Sequence, residues 1–489
     1  MEPIVLIHGY SAEGSGTSAA AISSIYGDLP KALRAQFGDS AVLELDLSRY
    51  ISLDDGITVD DISRAMDRAL RERLPHLLTT GFNVIIHSTG ALVVRNWIRR
   101  FSPLPSPIRR LVYLAGANFG SGWAHIGRGQ LAKWARLVFQ GGTERGIQVL
   151  DALELGSDWT LDLHLQFLDS HLDMHSQFQV MEFCIVGTQA DVSWFAAPIR
   201  YAKEDGADGV VRVSSCNVNF THVQIFPTPR AYGLTWKEAQ AEQARNLRRK
   251  GQRSELYDAR ISHPGWNGRP VVPFAIVHEC AHSGSDMGIV TGSKPRSQVM
   301  KLLSSALTCD RPNWPNRVAD FDLETQETYN LAATSQAPAW WKKWIEEPRS
   351  QYDHHAQVIF RVRDQNGRPI ESFDIFFDSV TGRTDPSLPI GKLFEDKHVN
   401  EKTPNIITFF MRLNPWDGQK WAPKLPDVHG CFLEITAVEP ETDEILYIPL
   451  RINIDPPTLE SIIEPHRTTI VDVVLLRVPS LGVFQTVLG

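Results

Sequence analysis

A serine stands in the string His87-Ser88-Thr89-Gly90, directly after the apolar run 82–86 and directly before a helical pattern that begins at Ala91. A serine between a strand and a helix, with glycine two positions on, has the form of a nucleophile elbow. Such a turn lifts the hydroxyl clear of the sheet and aims the next backbone N–H, here that of Thr89, at a developing oxyanion. The usual elbow has glycine two residues before the serine, where this chain has Ile86. A plain strand–turn–helix with a surface serine would carry the same letters. Ile7-His8-Gly9-Tyr10 closes the first apolar run, and in that place the N–H of Tyr10 would supply a second oxyanion donor opposite Thr89. Otherwise Gly9 only turns the chain.

Acid and base candidates follow Ser88 in the chain order such a triad needs, aspartate and then histidine. The acid candidates are Asp208, Asp205, and Asp191 just after the run that ends at Gly187. Asp208-Gly209 would serve equally as a simple turn. The base candidates are His282, in the loop after the run 271–277, together with His278 and His222. A loop histidine can reach the C-terminal edge of the sheet, where the elbow sits; a strand-end histidine is more often a core residue. His87 points the wrong way to serve as base and is expected to shape the elbow.

Several short elements must hold these residues. Runs 3–7, 41–45, 82–86, 110–115, 179–186 and 271–277 are near-continuously apolar, as strands buried on both faces are. Between them, 61–78 places Ile62, Ala65, Met66, Ala69 and Leu70 at helical spacing, behind a capping box of Thr58 and Asp61. Residues 91–101 are apolar at Leu92, Val93, Val94, Trp97 and Ile98 and stop at Ser102-Pro103. Strands alternating with helices predict an α/β fold with a doubly wound, mostly parallel sheet. Stretches 118–175 and 188–270 interrupt that rhythm, and insertions of this size are usually lids. The spacing predicts a first domain over 1–312, then a linker with a helix over 313–354. From 355 to 489 the pattern alternates, with an Asn366-Gly367 turn signal, and reads as an antiparallel β-sandwich.

Taken together, Ile7-His8-Gly9-Tyr10, His87-Ser88-Thr89-Gly90, Asp208-Gly209-Val210-Val211 and His282-Ser283-Gly284 resemble the α/β-hydrolases of lipase and esterase type. The likeness is to bacterial lipases and to the inositol-deacylase-like and phosphatidylcholine-acyltransferase-like branches, and it covers roughly residues 1–310. It implies a triad with Ser88 as nucleophile, Asp208 as acid and His282 as base. It also implies Tyr10 and Thr89 as oxyanion donors, supported by His8, Gly9, His87 and Gly90. No cofactor is implied. Asp286 resembles a calcium-site carboxylate of some lipases, but one carboxylate is not a shell of about six to eight oxygens, so no metal is expected.

Composition narrows the function further. The 489 residues carry 49 basic and 57 acidic side chains, a net charge of −8, which gives no general nucleic-acid footprint. Five cysteines without a CxxC pair argue against a disulfide scaffold or a zinc ribbon. No apolar run approaches the ~20 residues that span a bilayer. Met1-Glu2-Pro3 opens no secretory signal. The expectation is a cytoplasmic protein, or one exported without a Sec signal, for example by type VI secretion.

Phe119, Trp123, Trp134, Val138, Phe139, Trp159, Leu163 and Phe167 suit a hydrophobic lid over an acyl chain, or a helical pair packing its own core. The Trp340–Trp344 cluster suits either a lipid interface or a docking linker helix. The C-terminal domain resembles, at fold level, lipid-binding sandwiches appended to some lipases, and its protein partner is open. The expected function is a serine-dependent lipase or carboxylesterase, phospholipases included, acting on a lipid or small ester substrate. The other readings are a secretion-adapted lipase effector, a non-catalytic hydrolase-fold interaction protein, or an acyltransferase. Dehalogenase chemistry is disfavoured because it needs aspartate where Ser88 stands.

Overall fold

The computed structural model describes residues 2–8, 25–47, 50–51, 55–121, 147–189, 205–246, 255–335, 348–379 and 387–480. The chain forms two compact units, Met1–Asn219 with Asn267–Asp353, and Phe220–Trp266 with His354–Gly489.

The first unit is built on strands β1 (Ile4–His8), β2 (Val42–Asp46), β3 (Phe82–His87), β4 (Ile108–Leu114), β5 (Met181–Gly187) and β8 (Phe274–Val277). They form one parallel sheet in the order β2-β1-β3-β4-β5-β8. β5 is buried along its whole length and β3 from Phe82 to Ile86, so both faces of the sheet are covered. That is why the sequence shows continuous apolar runs there rather than alternation. The helix Val59–Arg73 starts at the expected box, with Thr58 Oγ1 accepting from Asp61 N at 3.2 Å and Asp61 Oδ2 accepting from Thr58 N at 3.0 Å. It buries Ile62, Met66, Ala69 and Leu70. The helix Gly90–Phe101 buries Leu92, Val93, Val94, Trp97 and Ile98. Deleting a ring as deeply buried as Trp97 costs about 3–5 kcal/mol.

The segment read as a linker does more than link. Its helix Asn316–Thr334 lies along the edge strand β8, where Thr325 Oγ1 accepts from Ile276 N at 3.0 Å and Thr328 Oγ1 donates to Ile276 O at 2.7 Å. Two hydroxyls thus satisfy a strand edge that would otherwise be open. The Trp340–Trp344 cluster lies outside the described residues. So do Trp123, Trp134, Val138 and Phe139 of the expected lid. Of its described members, Phe119, Leu163 and Phe167 are buried, the last two in the core of this unit, and Trp159 packs half-buried against that core. Phe167 meets Phe178 edge-on at 6.0 Å. In the described part, then, these residues pack a core.

The second unit corrects two expectations. Strands β6 (Phe220–Pro227) and β7 (Tyr257–Ser262), inside the stretch read as a lid, belong to its six-stranded sheet. The sheet order is β11 (Phe394–Val399), β12 (Ile406–Asn414), β9 (His354–Asp364), β16 (Thr468–Leu475), β6, β7. β16 runs parallel to both β6 and β9, so the sheet is mixed rather than antiparallel. The physical reason is visible in β6. Val223 and Ile225 alternate and enter the core of this unit, an arrangement suited to a strand rather than a lid. A second, antiparallel sheet, β10 (Phe373–Ser379), β13 (Cys431–Ala437) and β15 (Leu450–Ile454), contributes Phe377, Leu433 and Ile452 to the same core.

Candidate active site

β3 runs into Ser88, which has φ +53°, and the helix Gly90–Phe101 begins at once. A non-glycine residue in the left-handed region is strained and persists only where its surroundings enforce it. Here Ser88 N donates to Leu114 O at 3.2 Å, and Ser88 O accepts from Ala91 N at 3.1 Å and Ala117 N at 3.2 Å. Ile86 finds its place in this turn because residue 90 has no side chain. A Cβ at Gly90 would stand 3.3 Å from Ile86 Cβ.

The structure brings Ser88, His282 and Asp208 into one hydrogen-bonded chain. His282 Nε2 lies 3.1 Å from Ser88 Oγ, and Nδ1 lies 2.8 Å from Asp208 Oδ2. Asp208 sits in a tight turn whose next residue, Gly209, has φ +93°. Its Oδ1 accepts from Val210 N at 3.0 Å and Val211 N at 2.7 Å. Its carbonyl accepts from His282 N at 2.9 Å. Side chain and main chain of Asp208 therefore both hold the histidine. All three side chains are buried. With a carboxylate at Nδ1, the tautomer that serves both contacts carries its proton on Nδ1 and presents the Nε2 lone pair to the serine hydroxyl.

His87 packs against the imidazole of His282 with ring centroids 4.6 Å apart, and its Nε2 lies 3.2 Å from His282 O. Burial, and next the neighbouring His282, push the His87 pKa well below its ordinary 6.5. His87 is thus held neutral and can donate from Nε2 without setting a positive charge beside the His282 imidazole. The loop that carries His282 is pinned by Ala281 N to Met287 O and Ile289 N to Ala281 O, both at 2.8 Å.

Thr89 follows the serine, and among the described residues nothing accepts a hydrogen bond from its N–H. Its Oγ1 is buried and has no hydrogen-bond partner among the described residues. His8 ends β1 beside Asp46 of β2. Gly9, Tyr10 and Asp191 lie outside the described residues. Asp205 takes no place in the chain of hydrogen bonds. His278 instead stacks on Tyr352 at 5.9 Å, and His222 of β6 bonds Asp472 at 2.8 Å. Asp286 pairs with Lys294 at 3.1 Å. Among the described residues, no group of His, Cys, Asp and Glu could hold a metal ion. Among the described residues, no helix is long and apolar enough to cross a membrane.

Sequence reasoning passed over Gly187, the last residue of β5. A single glycine at a strand end carries no local signal of a role beside the site.

No family model and no curated protein matches the chain. Among solved structures, phospholipase PlaB from Legionella pneumophila matches with a TM-score of 0.75 at 23% identity, over 100% of this chain and 97% of that one. The same phospholipase in complex with thio-NAD matches with a TM-score of 0.75 at 24% identity, again over 100% and 97%. At such identities the likeness is one of fold. The first unit has the α/β-hydrolase fold, and a β domain accompanies it.

Proposed function

We propose that the protein is a serine-dependent carboxylic-ester hydrolase acting on lipid esters, phospholipids among them. The observation that carries this reading is the buried chain Ser88–His282–Asp208, with the serine at φ +53° on a strand-to-helix turn. Fold likeness to a phospholipase supports the lipid substrate class.

In this reading Ser88 Oγ attacks the ester carbonyl carbon while His282 Nε2 takes its proton. Asp208 orients the imidazole and stabilises the imidazolium. The negative oxygen so formed meets the N–H of Thr89, with Tyr10 as the second donor. Each such donor is worth about 3–4 kcal/mol in comparable sites. Collapse returns the His282 proton to the leaving alcohol and leaves the acyl group on Ser88. Water then attacks that acyl carbon, His282 takes its proton, and the acid departs as Ser88 recovers its own.

A fluorophosphonate probe, tested beside p-nitrophenyl esters of rising chain length and phospholipid vesicles, decides the matter. Labelling and hydrolysis should vanish in Ser88→Ala and His282→Ala and persist in His278→Ala. Labelling that survives Ser88→Ala sinks the hydrolase reading. Turnover confined to acetyl and butyryl esters sinks the lipid substrate.

A further inference from the structure

We infer that Tyr352 is a positioning residue, whose hydroxyl holds the loop carrying His282 in the backbone conformation that delivers the imidazole to Ser88. The inference rests on the ester-hydrolase reading above. It starts three residues before His282. Glu279 has φ +44°, in the left-handed region that favours glycine. A non-glycine residue there costs about 1–3 kcal/mol and persists only where its surroundings over-determine it. The Glu279 side chain supplies little of that restraint. It is half exposed and reaches Lys294 at 3.6 Å, a surface contact of small worth.

The restraint comes from the main chain and one buried phenol. Glu279 N donates to Tyr352 Oη at 3.2 Å, and Tyr352 Oη donates to Gln189 Oε1 at 2.7 Å. Gln189 N in turn donates to Cys280 O at 3.2 Å. Three hydrogen bonds thus close a ring through Tyr352, the exit of β5 and the first residues of the loop. The phenol is itself fixed. Its ring is buried, stacks on His278 at 5.9 Å and meets Tyr329 edge-on at 6.2 Å. One residue back, Gln351 O accepts from Thr188 Oγ1 at 2.5 Å. Burial pushes the phenol pKa up, so the hydroxyl keeps the proton that it gives to Gln189.

The path from this ring to the base is short, and all of it lies in the first unit. Cys280 precedes His282 by two residues, and His282 Nε2 stands 3.1 Å from Ser88 Oγ. Without the hydroxyl, the Glu279 N–H loses its acceptor and the strain at its φ is no longer held. The residue relaxes toward negative φ, the peptide plane turns, and Cys280 carries His282 off its line to the serine. Strain makes the prediction specific. A glycine adopts φ +44° without that cost, so glycine at this position should make the hydroxyl dispensable. A role in packing alone has no such dependence.

The test is Tyr352→Phe in the full chain, which keeps the ring and removes one oxygen. It is read by kcat and KM on the preferred ester. We expect kcat to fall roughly 10–100-fold, as ångström-scale misplacement of a catalytic group does. KM should stay within about twofold of the parent, since substrate binding is not what the hydroxyl serves. Adding Glu279→Gly to Tyr352→Phe should return kcat to within about fivefold of the parent, because the strain is gone. A Tyr352→Phe protein that keeps the parent kcat overturns the inference, whatever its melting temperature. So does a double variant no more active than Tyr352→Phe, since strain would then not be what the hydroxyl restrains. Should Tyr352→Phe fail to fold, Gln189→Leu carries the test. It removes the acceptor that orients the hydroxyl and must lower kcat severalfold, and an unchanged kcat refutes the proposal. An inactive parent chain, unlabelled by the fluorophosphonate, would instead refute the hydrolase reading, so the two failures are told apart.

Discussion

Gly187, the last residue of β5, faces the main chain of Cys280 so closely that a Cβ built on it would stand 2.0 Å from the Cys280 carbonyl oxygen. Cys280 lies two residues before His282. The loop that carries His282 crosses the end of β5 on bare backbone, and no side chain fits between. Gly187→Ala should displace that loop, because real Cβ atoms do not approach backbone oxygen so near. We expect fluorophosphonate labelling to slow by at least ~100-fold, as an ångström-scale misplacement of a catalytic group does. Unfolding free energy should drop by about 1–3 kcal/mol, as overpacking does. Labelling at the parent rate would show that the loop has room to move aside.

His87 gives a second expectation. Its contact with His282 O and its ring against the base imply a positioning role that an uncharged donor can fill. His87→Gln should keep labelling within about tenfold of the parent, whereas His87→Phe, which keeps bulk and loses the donor, should lose more. The comparison is read as the pH profile of kcat/KM. If the two variants behave alike, the hydrogen bond contributes nothing beyond packing.

Acid should weaken the fold before it touches most carboxylates. Burial pushes the pKa values of His87, His164 and His466 well below 6.5, and takes His354 down to about 4. Each native histidine stays neutral while its unfolded counterpart takes a proton. Stability is therefore full above pH 6.5 and falls as pH drops below it, for His354 until about pH 4. That one residue accounts for roughly 3 kcal/mol across its window. Guanidinium midpoints at pH 7, 6 and 5 should decline steadily, and the decline should be shallower in His354→Asn. A flat series over that range would contradict the assignment.

A fourth expectation concerns cutting the chain. Ending it at residue 312, the boundary the sequence suggests, removes β9 and β16 and leaves β6 and β7 without their sheet. Such a chain should be insoluble or lack labelling. A point substitution probes the same dependence more gently. Asp472 on β16 is buried enough to raise its pKa, yet hydrogen bonds from His222 on β6 and Arg361 on β9 bring it down to about 2. Asp472→Ala strands a buried arginine and should cost about 3–5 kcal/mol in a thermal or denaturant melt. A soluble, fully active protein ending at 312 would show that β6 and β7 do not need that partner.

The parallel sheet was legible because its strands are continuous apolar runs, and the elbow because a serine sat between one such run and a helix. Asp208 and His282 were legible as loop residues in the right order. What local pattern could not reveal is pairing across distance. Thr221 lies opposite Thr469, and nothing near either position announces the other. Alternation at Val223 and Ile225 was the available signal for β6, and it was hidden inside a long polar stretch. Likewise the tolerance of Ile86 depends on the missing side chain at Gly90, a relation between two positions that neither shows alone.

The excursion from Phe220 to Trp266 leaves the chain between Asp208 and His282. Asn219 closes the neck of that excursion, with Nδ2 donating to Val272 O and Oδ1 accepting from Val272 N, each at 2.8 Å. In order of synthesis, Asp208 and His282 are both made long before β16, and β6 and β7 wait for their last partner until residues 468–475 have emerged. The chain thus commits its β domain early and completes it late, with Ser88, Asp208 and His282 already made.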